Sequence, residues 1–510
     1  MDYSYAKPIR VLIVNSYEYP SNLLADSSFT LTKSIIKAMP PDRFYFTWVL
    51  PEFDLPIPKQ YRITDTLDLP GNVSILQVPM FRFRVLSEML LCEELFMRIN
   101  PVSGRCCAYD LVITNNPNIA GKLADWFASV MYKNISGYVP NDPPIVIVDY
   151  STPFYGNDSE CAYAKWYPNK LRSMYLGYSV SKASFFFTQY CYNRATEQYR
   201  KFFSASEAYQ FSERSHIFHG IFSQSEIPVT PVEKNEVFSI YWGGRLAGGK
   251  KVKLIVEMAN TLHKTGRHVK MVMTLPDKKS YEAFRSQVPK NYGDIFEIHF
   301  DLSQKDAFEV MRRCHASIFA QSMRFGPAAP LEQLYSGLVL LPYRRESADI
   351  LPDEYPYYWT ERQDLLAHLF DIYDYYEDAC EKVRPFCNSI ANTHSVEGNI
   401  SILSEEIERI VEEQDRRIVE VVLPSSGLLR GRIDELRHMT AKQSMTLSSY
   451  IDWVLSAHRV YSVLRTEINP FYLNASFWML YKALRIHVPV NLLRDDPVFY
   501  VTERTKNAKQ

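Results

Sequence analysis

The chain has 510 residues, room for about two to four domains at roughly 100–200 residues each. A hydrophobic fraction of 46% supplies large cores and excludes global disorder, and a formal net charge of −1 excludes a whole-molecule pull towards nucleic acid or anionic membrane. No apolar run reaches the ~18–20 residues that span a bilayer, and MDYSYAKPIRVLIVNSYEYP lacks a basic segment followed by an apolar signal core, so a cytoplasmic protein is expected.

Short apolar, β-rich runs recur along the first half: VLIVNSY (11–17), FYFTWVLP (44–51), VSILQVP (73–79), DLVITNN (110–116), PIVIVDY (144–150) and ASFFFTQ (183–189). Their continuous apolar character predicts strands covered on both faces. Helical stretches lie between several of them, such as SSFTLTKSIIKAM (27–39) and AGKLADWFASVMYKN (120–134). After the polar stretch SEIPVTPVEKNE (225–236) the pattern restarts with FSIYWGG (238–244), HVKMVMTLP (268–276), IFEIHFDL (295–302), ASIFAQS (316–322) and GLVLLPYR (337–344). The helix over 252–266 ends on Gly266, the residue that best tolerates a left-handed cap. Strands alternating with helices, twice over, predict an α/β protein of two doubly wound parallel-sheet domains. Ligands in such sheets bind outside the carboxyl ends of the strands, here in the cleft between the domains. From about 362 to 415 the chain reads as helix without strands.

Eight cysteines are scattered from Cys92 to Cys387 with no CxxC pair. That spacing argues against zinc and for free thiols in a reducing compartment.

One segment carries chemistry on its face. IYWGGRLAGGKKVKLIVEMA (240–259) reads strand, glycine turn, basic loop, helix. Gly244 lets the backbone turn tightly and approach a ligand. Arg245 offers a planar, permanently charged fork for phosphate oxygens, and Lys250 adds a mobile ammonium. On spacing alone, an ordinary surface loop with two solvated cations explains the segment equally well.

The segment resembles the "GRLxxxKG…l..A…L" motif that opens the C-terminal domain of the large retaining, family-4-like GT-B glycosyltransferases. Arg245 and Lys250 fall on the Arg and Lys that bind the donor diphosphate in that family, and Lys251 replaces its following glycine. The resemblance covers about 1–415. SHIFHGIFSQSEIPVTP (215–231) is similar to the family's interdomain segment, and KASFFFTQYCYNRATEQY (182–199) to one of its strand–helix pairs. EKVRPFCNSIANTHSVEGNISILSEEIERI (381–410) is similar to its closing helices, the last of which crosses back onto the N-terminal domain.

FAQSMRFGPAAPLEQLYSGLVLLPYR (319–344) is similar to the family's "E.FG….EA.a.G.PVv". Glu332 matches the second glutamate, which accepts the ribose hydroxyls in the family, as an ionised carboxylate can. Phe325 and Gly326 match the FG turn, whose backbone amides reach the donor. Arg324 stands where the first glutamate of the family belongs, and the spacing from FG to Glu332 is one residue longer. Retention or inversion is therefore open. The first loop, NSYEYPSNLLADSSFT (15–30), lacks the family's glycine pair. Where the family often has a histidine after the fifth strand, this chain has Asp149 and Tyr150. Asp149 has two readings, acceptor base or hydrogen-bonded structural aspartate. Asp26 and Glu18 are weaker base candidates, and His219 reads as structural.

RRIVEVVLPSSGLLRGRIDELRHMTAKQSMTLSSYIDWVL (416–455) reads strand, helix, turn, helix, and resembles a ribbon-helix-helix DNA-binding module with Thr446 as a helix cap. A helical appendage packed on the core is the competing reading, since the strand carries Glu420 and little basic charge.

The resulting expectation is a GT-B protein with two Rossmann-like domains and a mainly helical extension. The divisions are an acceptor domain over 1–230, a donor domain over 231–375, closing helices over 376–415 and an accessory segment over 416–510. The resemblance implies a nucleotide-sugar-dependent hexosyltransferase with a UDP-sugar donor, no tightly bound metal and an unidentified hydroxyl acceptor. Two alternatives stand beside it: a viral enzyme glycosylating modified DNA bases, acting in the host cytoplasm, and a catalytically inactive scaffold.

Overall fold

The computed structural model describes residues 8–17, 23, 26–52, 67–79, 109–128, 143–149, 168–228, 230–243, 252–275, 278–288, 294–320, 326–343 and 350–413. The segment over 416–510 lies outside them.

Seven strands form the first sheet: β1 (Ile9–Val14), β2 (Phe44–Glu52), β3 (Val73–Pro79), β4 (Leu111–Thr114), β5 (Ile145–Asp149), β6 (Ala183–Phe186) and β7 (Ser215–Ile217). Their spatial order is β3-β2-β1-β4-β5-β6-β7, and every pairing is parallel. The helices are α1 (Ser27–Ala38), α2 (Pro117–Ala128), α3 (Pro168–Val180), α4 (Gln189–Phe202) and α5 (Ala205–Glu213). Both faces of this sheet are covered. Val11 and Ile13 enter one apolar cluster with Phe29 and Trp48, while Leu12 and Val14 enter a second with Tyr178 and Phe186. Period-two alternation into two cores is why the strands read as unbroken apolar runs. α2 and α3 approach closely at glycine: a Cβ on Gly177 would fall 1.7 Å from the Pro117 carbonyl oxygen.

Five strands form the second sheet: β8 (Phe238–Gly243), β9 (Val269–Leu275), β10 (Phe296–Phe300), β11 (Ala316–Phe319) and β12 (Val339–Pro342), in the order β10-β9-β8-β11-β12. It is again wholly parallel. Its helices are α6 (Val252–Lys264), α7 (Lys278–Arg285), α8 (Gln304–Arg312) and α9 (Ala328–Tyr335), followed by α10 (Arg362–Asp374), α11 (Tyr376–Thr393) and α12 (Val396–Glu412). α6 closes on Gly266 at φ 79°, with Gly266 N–H donating to His263 O and Arg267 N–H to Leu262 O. Those two bonds make the paired cap that glycine permits.

Each sheet reverses direction once, between β1 and β4 and between β8 and β11. The crevice outside the carboxyl ends of such strands is where ligands bind in open α/β sheets.

The chain crosses between the halves twice, and the crossings are joined. Phe222 and Ser395 form an isolated parallel bridge, Ile221 N–H donates to His394 O (2.9 Å) and Val396 N–H to Phe222 O (2.8 Å). Glu397, in the first turn of α12, accepts from Ser223 Oγ (2.6 Å), Gln224 N–H (3.1 Å) and Ser225 N–H (3.0 Å). Those donors hold its carboxyl below the usual range despite burial. α12 then lies on the first half, where Glu408 pairs with Arg43 (2.8 Å) and Glu406 with His216 (3.4 Å). Among the described residues no helix is long and apolar enough to cross a membrane.

Candidate functional site

The reversal point of the first sheet is filled by amides and hydroxyls. Asn15 and Ser16 follow β1, and Asn115, Asn116 and Asn118 follow β4. All five are buried. Asn115 Oδ1 accepts from Ser16 N–H (2.9 Å) while its Nδ2 donates to Ser16 O (3.0 Å). Asn15 Oδ1 accepts from Asn115 N–H (2.9 Å), and its Nδ2 donates to Thr32 Oγ1 on α1 (2.7 Å). Asn116 Nδ2 donates to Ser16 Oγ (3.2 Å), and its Oδ1 accepts from the Asn118 N–H (2.9 Å) and Nδ2 (3.1 Å). Buried polar groups are tolerable here because they satisfy one another. Sequence reading missed this clasp, although TNNPN after a strand is an Asx-turn signal.

Asp149 ends β5 in register with Phe186. It is buried, and its carboxylate accepts a hydrogen bond from the Tyr178 hydroxyl of α3. Burial and the neighbouring carboxylate push the Tyr178 hydroxyl far above its ordinary value. Asp26 is likewise engaged: it caps α1, accepting from Ser28 N–H (2.9 Å) and Phe29 N–H (3.3 Å). Glu18 and Tyr150 lie outside the described residues.

The second reversal point is flanked by the loops after β8 and β11. Gly244, Arg245 and Lys250 belong to the first loop and Arg324 and Phe325 to the second; all five lie outside the described residues. β8 and β11 are adjacent, with Ala316 paired to Ile240 and Ser317 to Tyr241, so both loops leave the same edge of the sheet side by side. Gly326 is described. Its φ of 69° is left-handed, and a Cβ there would meet Phe187 Cβ at 3.1 Å and Ile221 and Thr188 carbons at 3.3 Å. Glycine is therefore required twice over, by backbone and by contact. Phe187 and Thr188 directly follow β6, so the loop after β11 touches the carboxyl edge of the first sheet. Gly326 marks where the second half meets the carboxyl edge of the first sheet.

Glu332 lies on the second turn of α9, partly buried. Burial alone raises its carboxyl to about 7. Among the described residues no cation or hydrogen-bond donor faces it. A carboxylate kept from water without a partner is costly, and such groups cluster where a ligand supplies the partner. Among the described residues no group of three or more His, Cys, Asp or Glu side chains is arranged to hold a metal ion.

Two parallel Rossmann-like sheets of matching strand order, tied by a helix that returns to the first half, define the GT-B class of fold. Solved structures agree. Sucrose-phosphate synthase from Thermosynechococcus elongatus superposes with a TM-score of 0.59 at 9% identity, covering 80% of this chain and all of that one. HepE of Anabaena, solved with UDP and glucose, gives 0.53 at 11% identity over 79% of this chain and all of its own. A UDP-glucosyltransferase from Polygonum tinctorium capable of glucosylating indoxyl gives 0.50 at 10% identity over 81% and 100%. No protein-family model and no curated protein sequence matches the chain. At these identities the likeness establishes the fold.

Proposed function

We propose that this protein is a glycosyltransferase that moves a hexosyl group from a nucleoside-diphosphate sugar, a UDP-sugar by preference, to a hydroxyl acceptor. Glu332 carries the reading. A carboxyl partly buried on α9, raised by burial to about 7 and facing no cation or hydrogen-bond donor among the described residues, has, once ionised, the chemistry to accept a vicinal diol. A nucleotide ribose brings that diol. Topology supports the rest. Arg245 and Lys250 on the loop after β8 and Phe325 and Gly326 on the loop after β11 belong to adjacent strands. A diphosphate held after β8 would therefore sit at the end of the strand next to β11. The cations neutralise the diphosphate as it leaves, the largest electrostatic demand of glycosyl transfer. The likeness to HepE, solved with UDP and glucose, supports the donor class.

For Asp149, the bond from Tyr178 supports the structural role rather than the base.

The test is a panel of UDP-, GDP- and ADP-sugars with product detection, run with water, simple glycosides and hydroxymethylated DNA as acceptors. Turnover of at least one nucleotide sugar is expected. No binding and no turnover across the panel would end this reading. Arg245→Ala should weaken UDP binding by about 1–3 kcal/mol, the cost of one charge-assisted contact, measured by titration calorimetry.

A further inference from the structure

Where the two crossings of the chain meet, two histidines pack together. His219 follows β7 and His394 precedes α12. Their ring centroids lie 5.1 Å apart, inclined at 57°. His394 is buried, with Nδ1 2.7 Å from Thr393 Oγ1 and its carbonyl accepting from Ile221 N–H. It is the wall against which His219 rests.

His219 is oriented from a second side. Its Nδ1 lies 3.2 Å from the carbonyl oxygen of Phe187. A carbonyl only accepts, so Nδ1 carries the proton, and in the neutral ring Nε2 holds the lone pair. The backbone fixes the third side. A Cβ on Gly220 would fall 2.4 Å from the Phe218 ring, so glycine is needed for the turn that presents His219. Phe187, which supplies the carbonyl, is also the residue against which Gly326 packs. The imidazole therefore stands where the loop after β11 reaches the carboxyl edge of the first sheet. The residue is partly exposed, and no described residue bonds to Nε2.

We propose that His219 is the base that activates the acceptor. The inference rests on the glycosyl transfer proposed above and adds the residue that performs its proton step. The acceptor O–H proton passes to His219 Nε2 as the acceptor oxygen bonds to the anomeric carbon. The bond from that carbon to the diphosphate oxygen breaks, and its electron pair leaves with the diphosphate. His219 then returns the proton to solvent. An imidazole is suited to this because its ordinary pKa lies near neutral pH. A backbone carbonyl behind Nδ1 orients the ring and stabilises the imidazolium formed in the step, as a second shell does for other working histidines. One displacement of this kind inverts the anomeric centre.

Two variants separate a proton-transfer role from a structural one. In His219→Asn the side-chain amide keeps a donor for the Phe187 carbonyl but has no basic nitrogen. In His219→Ala exogenous imidazole can supply one. With the UDP-sugar identified by the donor panel, His219→Asn should lose about 10²–10⁴-fold in kcat, the usual worth of a positioned base. Its affinity for UDP, by calorimetry, should stay within about twofold. Imidazole should restore turnover to His219→Ala in proportion to its concentration, and NMR should find the product inverted. Wild-type turnover with an undiminished kcat in His219→Asn would remove this inference and leave the proposed function standing. Loss without imidazole rescue, or a product of retained configuration, would also overturn it. A wild type with no turnover at all would remove both.

Discussion

The two sheets reverse direction in the same way and treat their reversal points in opposite ways. At the first, Asn15, Ser16, Asn115, Asn116 and Asn118 spend their hydrogen bonds on one another and on the adjoining backbone. The surface is finished before any ligand arrives. At the second, Glu332 faces no cation or hydrogen-bond donor among the described residues, and burial raises its carboxyl. A pre-satisfied network rigidifies a loop, whereas an unsatisfied carboxylate stores a cost that a ligand repays. The first half reads as a rigid platform, and the second as the half where the proposed donor would meet a carboxyl that its described surroundings leave without a partner.

That contrast can be broken from either side. The largest effect is expected from Asn115→Ala. It strips two partners from the backbone of Ser16 and leaves a buried N–H and C=O unpaired. Each costs about 1–3 kcal/mol, so urea unfolding should show a loss of roughly 2–6 kcal/mol. A loss below about 1 kcal/mol would mean that water already serves these groups and that the platform is not dry. Gly326→Ala comes next. A left-handed φ and a 3.1 Å approach to Phe187 should together cost about 1–2 kcal/mol. Because Gly326 touches both halves, UDP affinity should fall as well. An unchanged UDP titration would uncouple that loop from the donor.

Glu332→Gln should act on stability in the opposite direction. A carboxyl at about 7 in the folded protein lies above its unfolded value near 4.5, so the folded state holds more protons between those pH values. Stability therefore falls as pH rises through that window, and the penalty is complete above about pH 8. Removing the charge should stabilise the ligand-free protein at pH 8 by about 1–2 kcal/mol after allowing for solvent screening, and change nothing near pH 4. UDP affinity of the wild type should rise between pH 6 and pH 8 as Glu332 ionises, and Glu332→Gln should abolish that rise. A variant that is less stable at pH 8 would show that Glu332 is paired after all.

Much of this was legible along the chain. The strand runs at 44–51, 73–79 and 145–149 are strands because both faces of a parallel sheet need apolar side chains, and that requirement leaves unbroken hydrophobic stretches. Gly266 announced a left-handed cap and has one. β7 was harder to see: SHI is three residues long and only partly buried, so it gives no apolar run and is a strand because it pairs with β6. The site was legible in part. Glu332 and Gly326 were marked by the resemblance to a family motif, whereas the asparagine clasp was not, since Asn15 and Asn115 are 100 residues apart and look like two unrelated turns.

The sequence by itself determined the alternation of strand and helix and its repetition, because these depend on local propensity and burial. Tertiary structure alone decided which polar groups would be satisfied. Asp149 reads in sequence as a carboxylate at a strand end facing a cleft; in the fold it accepts from Tyr178 on a helix that packs behind it. His219 reads as part of an interdomain turn; in the fold a carbonyl 32 residues away sets its tautomer and a histidine from the second crossing holds its ring. Partners distant in sequence decide whether a polar side chain is spent on structure or left for chemistry, and folding is what brings them together.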